Sequence, residues 1–405
     1  MNSRSTVVVV GGGVIGCAVA YFAAVRGLDV TLVDSPRRGR ATSASAGGLW
    51  PMGESVGLGC GVIFAKARGA GGHGPERLPE SFLEFALRSN AMVPGLARDL
   101  RADTAIDIEF ERTSLLFVMY DESDEAYAQA LWEDYPEQRH LFEWLTASEL
   151  AVAEPAVTRR VRGALRFHGD DQLNPYKFAD ALRAGARARG ARVLAHTEVT
   201  RVVVAGSRVV GVETPTMSIG CEVLVNAAGA WAGQVGEMVG VEVPVMPVRG
   251  QIVCTETLPR VLTSCVSTTD CYLAQKQHGE IIIGSTTEYV GFDVSTTVGA
   301  TRALSAGAVR AVPGLVHVAA KRVWCGLRPG SPDELPILGP VAGLAGYLNA
   351  CGHFRTGIVN APLTGLLVAE LAGGEGPSYP VEPFLLSRFD GPKVAVGGEV
   401  AVGGV

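Results

Sequence analysis

The sequence predicts an α/β chain in which a parallel-sheet domain is interleaved with a second, β-rich domain. Three observations carry that reading. The valine run at 7–10 reads as a strand buried on both faces, as strands of parallel sheets are. It meets Gly11-Gly12-Gly13 and a small-residue helix pattern over 14–26, closed by Gly27. Residues 29–33 then read as the next parallel strand, with Asp34 at its carboxyl end.

Each part of this unit has a mechanical role in holding a dinucleotide. Gly11 permits the tight turn, Gly13 lets the backbone approach a pyrophosphate, and Gly16 lets the helix pack closely on the strand. The helix opens with backbone N–H groups and a positive dipole end that suit the same anion. Asp34 stands where a carboxylate accepts both ribose hydroxyls, and it would repel the 2′-phosphate of NADP. The competing reading of the apolar run 6–25 is a signal peptide or membrane helix. Three consecutive glycines, an amphipathic strand directly after it and a start with Arg4 alone for charge oppose that reading.

A chain of 405 residues with 47% hydrophobic and 19% charged side chains is globular and long enough for two units. Its net charge of −6 argues against a nucleic-acid surface. The eight cysteines form no C-x-x-C pairs or cluster-binding runs, and the histidines lack metal-ligand spacing, so no metal is expected. Reduced thiols and the lack of a secretory signal lead to the expectation of a cytoplasmic chain.

Beyond Asp34, residues 36–79 are rich in Gly, Ser and Pro and read as a ligand-covering loop. A helix is expected over 80–90. The alternating stretch 106–110 reads as a strand paired with 115–120, and 122–140 as a helix. A helix at 176–189, a strand at 192–195, a hairpin at 201–213 and a strand at 222–226 follow. The stretch 245–324 reads as β throughout, with strands at 251–254, 271–275 and 280–285, and a helix is expected at 358–371. The resulting division places 1–79, 149–240 and 325–390 in a discontinuous nucleotide domain. It places 80–148 and 241–324 in an antiparallel sheet domain, and 391–405 in a frayed tail. The active site is expected between the two.

The C-terminal third carries the second cluster. Arg328 sits between apolar residues and a Pro329-Gly330 turn, where a guanidinium can hold a carboxylate through two parallel hydrogen bonds. A structural arginine tying loops together is the alternative. Gly357 opens an apolar helix whose amino end can face an anion. His168, His196 and His278 read as ordinary strand or loop histidines. His353 reads as structural, and Asp333-Glu334 as a turn closed by basic neighbours. A redox pair of Cys60 and Cys351 is a minor alternative.

GGGVIG with Asp34, the run Ala41-Thr42-Ser43-Ala44-Ser45-Ala46-Gly47, GLRPGSPDELPILG and GHFRTGI resemble the D-amino-acid oxidase/glycine oxidase family of FAD enzymes, over nearly the whole chain. The loop from Ser45 through Trp50 and Glu54 to Phe64, Gly250-Gln251-Ile252-Val253, the stretch from Asp270 to Lys276 and Leu348-Asn349-Ala350-Cys351 are similar to the cyanide-forming glycine dehydrogenase branch. The resemblance implies a glutathione-reductase-type FAD domain. It implies FAD contacts at Gly11, Gly13, Val14, Ile15 and Gly16, at Asp34-Ser35, at Ala41, Thr42 and Ser43, at Ala46-Gly47-Gly48 and at Val199. The flavin-ring loop would be His353, Phe354, Arg355, Thr356, Gly357 and Ile358. Arg328 would bind the substrate carboxylate, Tyr272 would assist it, and Arg355 would also lie near substrate.

The activity so implied is oxidation of glycine to hydrogen cyanide and CO2. Glycine, C2H5NO2, releases four hydrogens on that path, so two successive two-electron steps are required and the first gives an imino acid. Positioning is the main device, because hydride transfer needs no protein nucleophile. The resemblance implies partner subunits, one with an iron–sulfur centre passing electrons to a respiratory or dye acceptor, and a peripheral place on the cytoplasmic face of the inner membrane. The rivals are a D-amino-acid or hydroxyproline dehydrogenase subunit, a glycine oxidase using O2, and an assembly subunit that only relays electrons.

Overall fold

The computed structural model describes residues 2–58 and 77–390. Much of the covering loop (59–76, with Cys60) and the tail at 391–405 lie outside those residues.

The first sheet is built on the strand Asn2–Val10, flanked in parallel by Val30–Asp34 and Ser218–Asn226. Arg192–Ala195 adds in parallel at one edge and Leu344–Cys351 at the other, with Ile337–Val341 antiparallel outside it. On its edge away from Asn2–Val10, the long strand Ser218–Asn226 serves two partners. Its first half pairs antiparallel with Arg208–Glu213, which in turn pairs with Arg201–Ala205, and its last three residues pair with Leu344–Cys351.

The valine run shows why this sheet is covered twice. Side chains alternate along a strand, so Val7 and Val9 enter the core under the helices Val14–Val25, Pro175–Ala188 and Gly357–Ala372. Val8 and Val10 enter the core formed with the three-stranded arm, through Val202, Val209, Val212 and Ile219. The stretch offered above as a rival signal or membrane helix is thus the central strand and first helix of a sheet core. Gly11 has φ +109°, and a Cβ there would stand 2.3 Å from the carbonyl oxygen of Ala227. A Cβ on Gly16 would stand 1.8 Å from the carbonyl oxygen of Gly11.

The second sheet runs in the order Ala320–Gly330, Met246–Thr255, Ile281–Gly284, Tyr272–Gln275, Cys265–Ser267, Ser114–Met119, Gly163–His168, Phe142–Thr146. It is antiparallel except where Cys265–Ser267 lies parallel to Ser114–Met119. One face carries Phe117, Met119, Tyr272 and Ile282 toward Trp50 and Met52. The other carries Leu116, Val118 and Leu273 toward a helix at Val298–Ala311.

Several sequence expectations are corrected here. The stretch 106–110 is no strand: Asp107 Oδ1 accepts the N–H of Glu109 at 2.9 Å, and Glu109 adopts φ +55°. This local bond gives the backbone an alternative to a ladder. Ser114–Met119 pairs instead with Gly163–His168 and Cys265–Ser267. The first long helix extends over Glu80–Thr104, through Pro94, and packs on the first sheet's helices through Val93, Leu96 and Leu100. The helix at Val298–Ala311 interrupts a region read as entirely β; its signal was the cap of Thr297 and burial at Leu304, Gly307, Ala308 and Ala311. Gly163–His168 and all of Ala320–Gly330 belong to the second sheet, across the boundaries drawn at 149 and 325. Hydrophobic pattern places strands but does not choose their partners.

Gly16→Ala is expected to cost about 1–3 kcal/mol or more, because backbone rather than a flexible side chain blocks the new methyl. In Gly299→Ala the added Cβ meets nothing within 4 Å, and no loss is expected. Equal urea midpoints for the two variants would contradict this packing.

Candidate active site

The carboxyl ends of the parallel strands open into a cleft of about 1630 Å³, part of it open to solvent, that extends to the face of the second sheet. At its first end the Gly12 N–H donates to Asp34 Oδ1 at 2.8 Å. Arg40 bridges the same region, donating to Asp34 Oδ2 at 3.0 Å and to the Gly12 carbonyl at 2.6 Å. The Val14 N–H, in the first turn of the helix, donates to Thr42 Oγ1 at 3.0 Å. Farther out, Arg37 stacks over Trp231, whose other neighbour is the ring of Phe292.

The cleft is lined by Gly11, Gly13, Val14, Ile15, Asp34 and Ser35, then by Ala41, Thr42, Ala46, Gly48 and Val199. His353, Phe354, Arg355, Gly357 and Ile358 line it from the other side, with Arg328 and Tyr272. Four expected cofactor residues stand just behind the lining. Gly16 packs beneath Gly11. Ser43 donates to the Arg40 carbonyl at 3.0 Å. Gly47, at φ +78°, leaves no room for a Cβ against the Leu173 carbonyl, and Thr356 donates to the His353 carbonyl at 2.8 Å.

Arg328 is placed by backbone. The antiparallel ladder Met246–Thr255/Ala320–Gly330 sets Gly250 beside its guanidinium, where a Cβ would lie 2.4 Å from both terminal nitrogens. Arg328 donates to the Thr286 carbonyl at 3.0 Å and to Ser285 Oγ at 2.5 Å. The Tyr272 hydroxyl lies across the neighbouring Gly284, where a Cβ would be 2.4 Å from it. The Leu327 N–H donates to the Gly39 carbonyl at 2.7 Å, which ties this strand to the Arg40–Thr42 segment. Arg328 and Tyr272 thus meet in one cleft with the nucleotide loop.

Arg355 has a different environment. Its side chain is 6% exposed; Nε meets Glu54 at 2.9 Å and Nη1 meets Glu334 at 2.6 Å. With its charge matched by two carboxylates, it ties the loop at 353–358 to the segment at 51–55. Phe354 adopts φ +44° and is held by its N–H bond to the Pro329 carbonyl at 2.9 Å. His353 is buried against Thr364 Oγ1 at 3.0 Å, and burial pushes its imidazole down to about 3. Asp333 pairs with Arg388 in a fork, as a turn-closing residue would. His168 pairs with Glu143 at 3.2 Å and His278 with Glu109 at 2.8 Å, both away from the cleft. Cys351 is buried and its thiol is pushed up to about 12.

Arg40, Trp50, Glu54 and Gly250 were left without a role by sequence reasoning, though all but Arg40 lie in the motifs quoted above. Their signal was position alone: a cation beside the wrapping segment, and a tryptophan two residues after Gly48.

A family model described as FAD-dependent oxidoreductase matches residues 6–371. The chain belongs to this FAD-dependent oxidoreductase family. Hydrogen cyanide synthase subunit HcnC of Pseudomonas protegens is 49% identical over 96% of this chain and 97% of that protein. Subunit HcnC of Pseudomonas aeruginosa is 49% identical, over 98% and 99%. Glycine oxidase from Geobacillus kaustophilus superposes with a TM-score of 0.86 at 30% identity, over 95% of this chain and 99% of that one.

The cleft fits the family's cofactor, FAD. Gly11 and Gly16 let the turn close tightly on backbone that a Cβ would strike, at the carbonyls of Ala227 and Gly11; Gly13 and Asp34 line the cleft at that end, and the helix Gly357–Ala372 begins on the lining of the far end. The enzyme is therefore an FAD-dependent oxidoreductase, and Arg328 shares one continuous space with its nucleotide end.

His353 carries a pH prediction. Its folded pKa, about 3, lies below the ordinary 6.5, so the unfolded chain takes up the extra proton in between. The stability held by the neutral ring is complete above pH 6.5 and is lost on acidification toward pH 3, at up to about 1.4 kcal/mol per pH unit. His353→Gln is expected to flatten the fall in urea stability between pH 6.5 and 5. An unchanged slope would assign that fall to other groups.

Proposed function

We propose that this chain is the catalytic subunit of a cyanide-forming complex and oxidises glycine to hydrogen cyanide and CO2 in two successive two-electron steps. The observation that carries the reading is the pairing of Arg328 and Tyr272 at the far end of an FAD cleft, on a chain half identical to two HcnC subunits. FAD, when bound, supplies a two-electron acceptor.

The residues of the chain supply position. Arg328 holds the substrate carboxylate, and its own orientation is fixed by Gly250, Ser285 and Thr286. The Tyr272 hydroxyl, at Gly284, stands next to that anchor. Ile252, Tyr272 and Trp50 line the cleft and are each at most 5% exposed, so the reacting carbon sits against apolar surface from which water is excluded. The amine loses its proton to solvent before the first step.

The four electrons must then leave a site that accepts two at a time. The sequence has no cluster-binding cysteine runs, so onward transfer belongs to partner subunits, one with an iron–sulfur centre, and to a respiratory or dye acceptor. Among the described residues no helix is long and apolar enough to cross a membrane. We assign any peripheral membrane contact, at the cytoplasmic face, to those partners.

Two measurements test this reading. Glycine added anaerobically to the chain co-purified with its partners is expected to bleach the flavin and release cyanide. Repeated turnover of the single chain to cyanide with O2 alone would favour a self-sufficient oxidase. Arg328→Lys is expected to lower kcat/KM for glycine by roughly one to two decades, because one charge-assisted hydrogen bond is worth about 1.5–3 kcal/mol, while FAD affinity stays near wild type. Unchanged glycine kinetics with FAD retained would make Arg328 structural.

A further inference from the structure

We propose that Trp50 is the size filter of this site, its indole closing the space that the side chain of any amino acid larger than glycine would enter. The inference rests on the reading of the cleft as a glycine site and adds the residue that makes it one.

Trp50 folds back on its own segment. A Cβ on Gly48 would stand 2.5 Å from Cε2 and 2.7 Å from Cδ2, so the ring lies flat over the Gly48 backbone. Its other side meets the ring of Tyr272 edge to face, with centroids 5.3 Å apart and planes at 77°. The indole is wedged between a cofactor-wrapping glycine and the tyrosine beside the carboxylate anchor. It lines the cleft, yet is only 3% exposed.

The wall is also fixed from behind. The Glu54 N–H donates to the Trp50 carbonyl at 2.9 Å, opening the short helix Pro51–Ser55. The buried Asp170 carboxylate takes the N–H groups of Met52 and Gly53 at 3.2 and 2.8 Å. Glu54 is pinned in turn by Arg355 at 2.9 Å. A wall held at Gly48, Tyr272, Asp170 and Arg355 cannot swing aside for a larger ligand.

The chemistry then follows from distance. A carboxylate on Arg328 and Tyr272 places Cα one bond away, within reach of the Tyr272–Trp50 contact. Glycine presents only hydrogens there, whereas alanine presents a methyl group to a packed ring. Interiors resist added volume because they are already close-packed. One methyl group against such a wall is discriminated by about 10–200-fold.

The test compares glycine with L- and D-alanine as anaerobic reductants of the flavin, in the FAD-loaded full chain co-purified with its partners. Wild type is expected to favour glycine over the better alanine by at least tenfold. Trp50→Ala and Trp50→Leu are expected to raise the alanine-to-glycine rate ratio by tenfold or more, and Trp50→Phe to raise it less. The leucine variant keeps apolar surface against Gly48 and carries the test if the alanine variant sheds FAD. The filter is overturned if wild type takes alanine as fast as glycine, or if FAD-loaded variants keep the wild-type ratio. Loss of FAD by all three would also overturn it and make Trp50 a post of the cofactor cleft. Failure of glycine to bleach the wild-type flavin counts instead against the proposed function.

Discussion

The Arg328 guanidinium lies against the bare Cα of Gly250, and the rest of the site is arranged around that contact. Gly250 pairs with Gly326 across the ladder, so the cation rests beside backbone instead of projecting from a loop. The same strand is tied to the nucleotide segment at Gly39 through Leu327, and a Cβ on Gly326 would stand 2.4 Å from Cβ of Ala44. On the proposed function, the anion anchor and the cofactor cradle are therefore set by one strand. A fixed anchor matters because orientation is what such a reaction asks of the protein.

Charge is distributed to serve the same end. Arg355, Glu54 and Glu334 satisfy one another, joining the flavin-side loop to the segment that carries Trp50. Arg40 brackets Asp34 and the Gly12 carbonyl at the opposite end. Arg249, 5% exposed, pairs with Glu288 and Asp293 and holds the loop whose Val294 side chain abuts Gly39. Buried charges of this kind need partners to offset their desolvation. Here the partners come from different stretches of chain, which locks the walls of the cleft to one another.

The nucleotide half of the site was legible because its signals are local. Gly11, Gly13, Gly16 and Asp34 fall within one strand–turn–helix–strand unit, where spacing alone dictates geometry. The place of Arg328 on the cleft lining was legible in its odd setting between apolar residues and a Pro-Gly turn. What was not legible depends on pairing between distant segments. The alternation at 106–110 mimics a strand, but an Asp107 turn removes it from any ladder. The strand Gly163–His168 gives no sign in sequence that it joins Ser114–Met119 instead of the nucleotide sheet. Arg355 reads as a substrate contact in sequence, and its ion pairs with Glu54 and Glu334, which arrive from elsewhere in the chain, give no sign there.

The account stands on Gly250 holding the Arg328 fork in place for a carboxylate. The most direct measurement is a spectral titration of the FAD-loaded Gly250→Ala protein with acetate, a carboxylate that cannot be oxidised. The added methyl should displace the guanidinium, weakening acetate binding by tenfold or more while FAD remains bound. Wild-type acetate affinity in that variant would contradict the account and move the anion anchor away from Arg328.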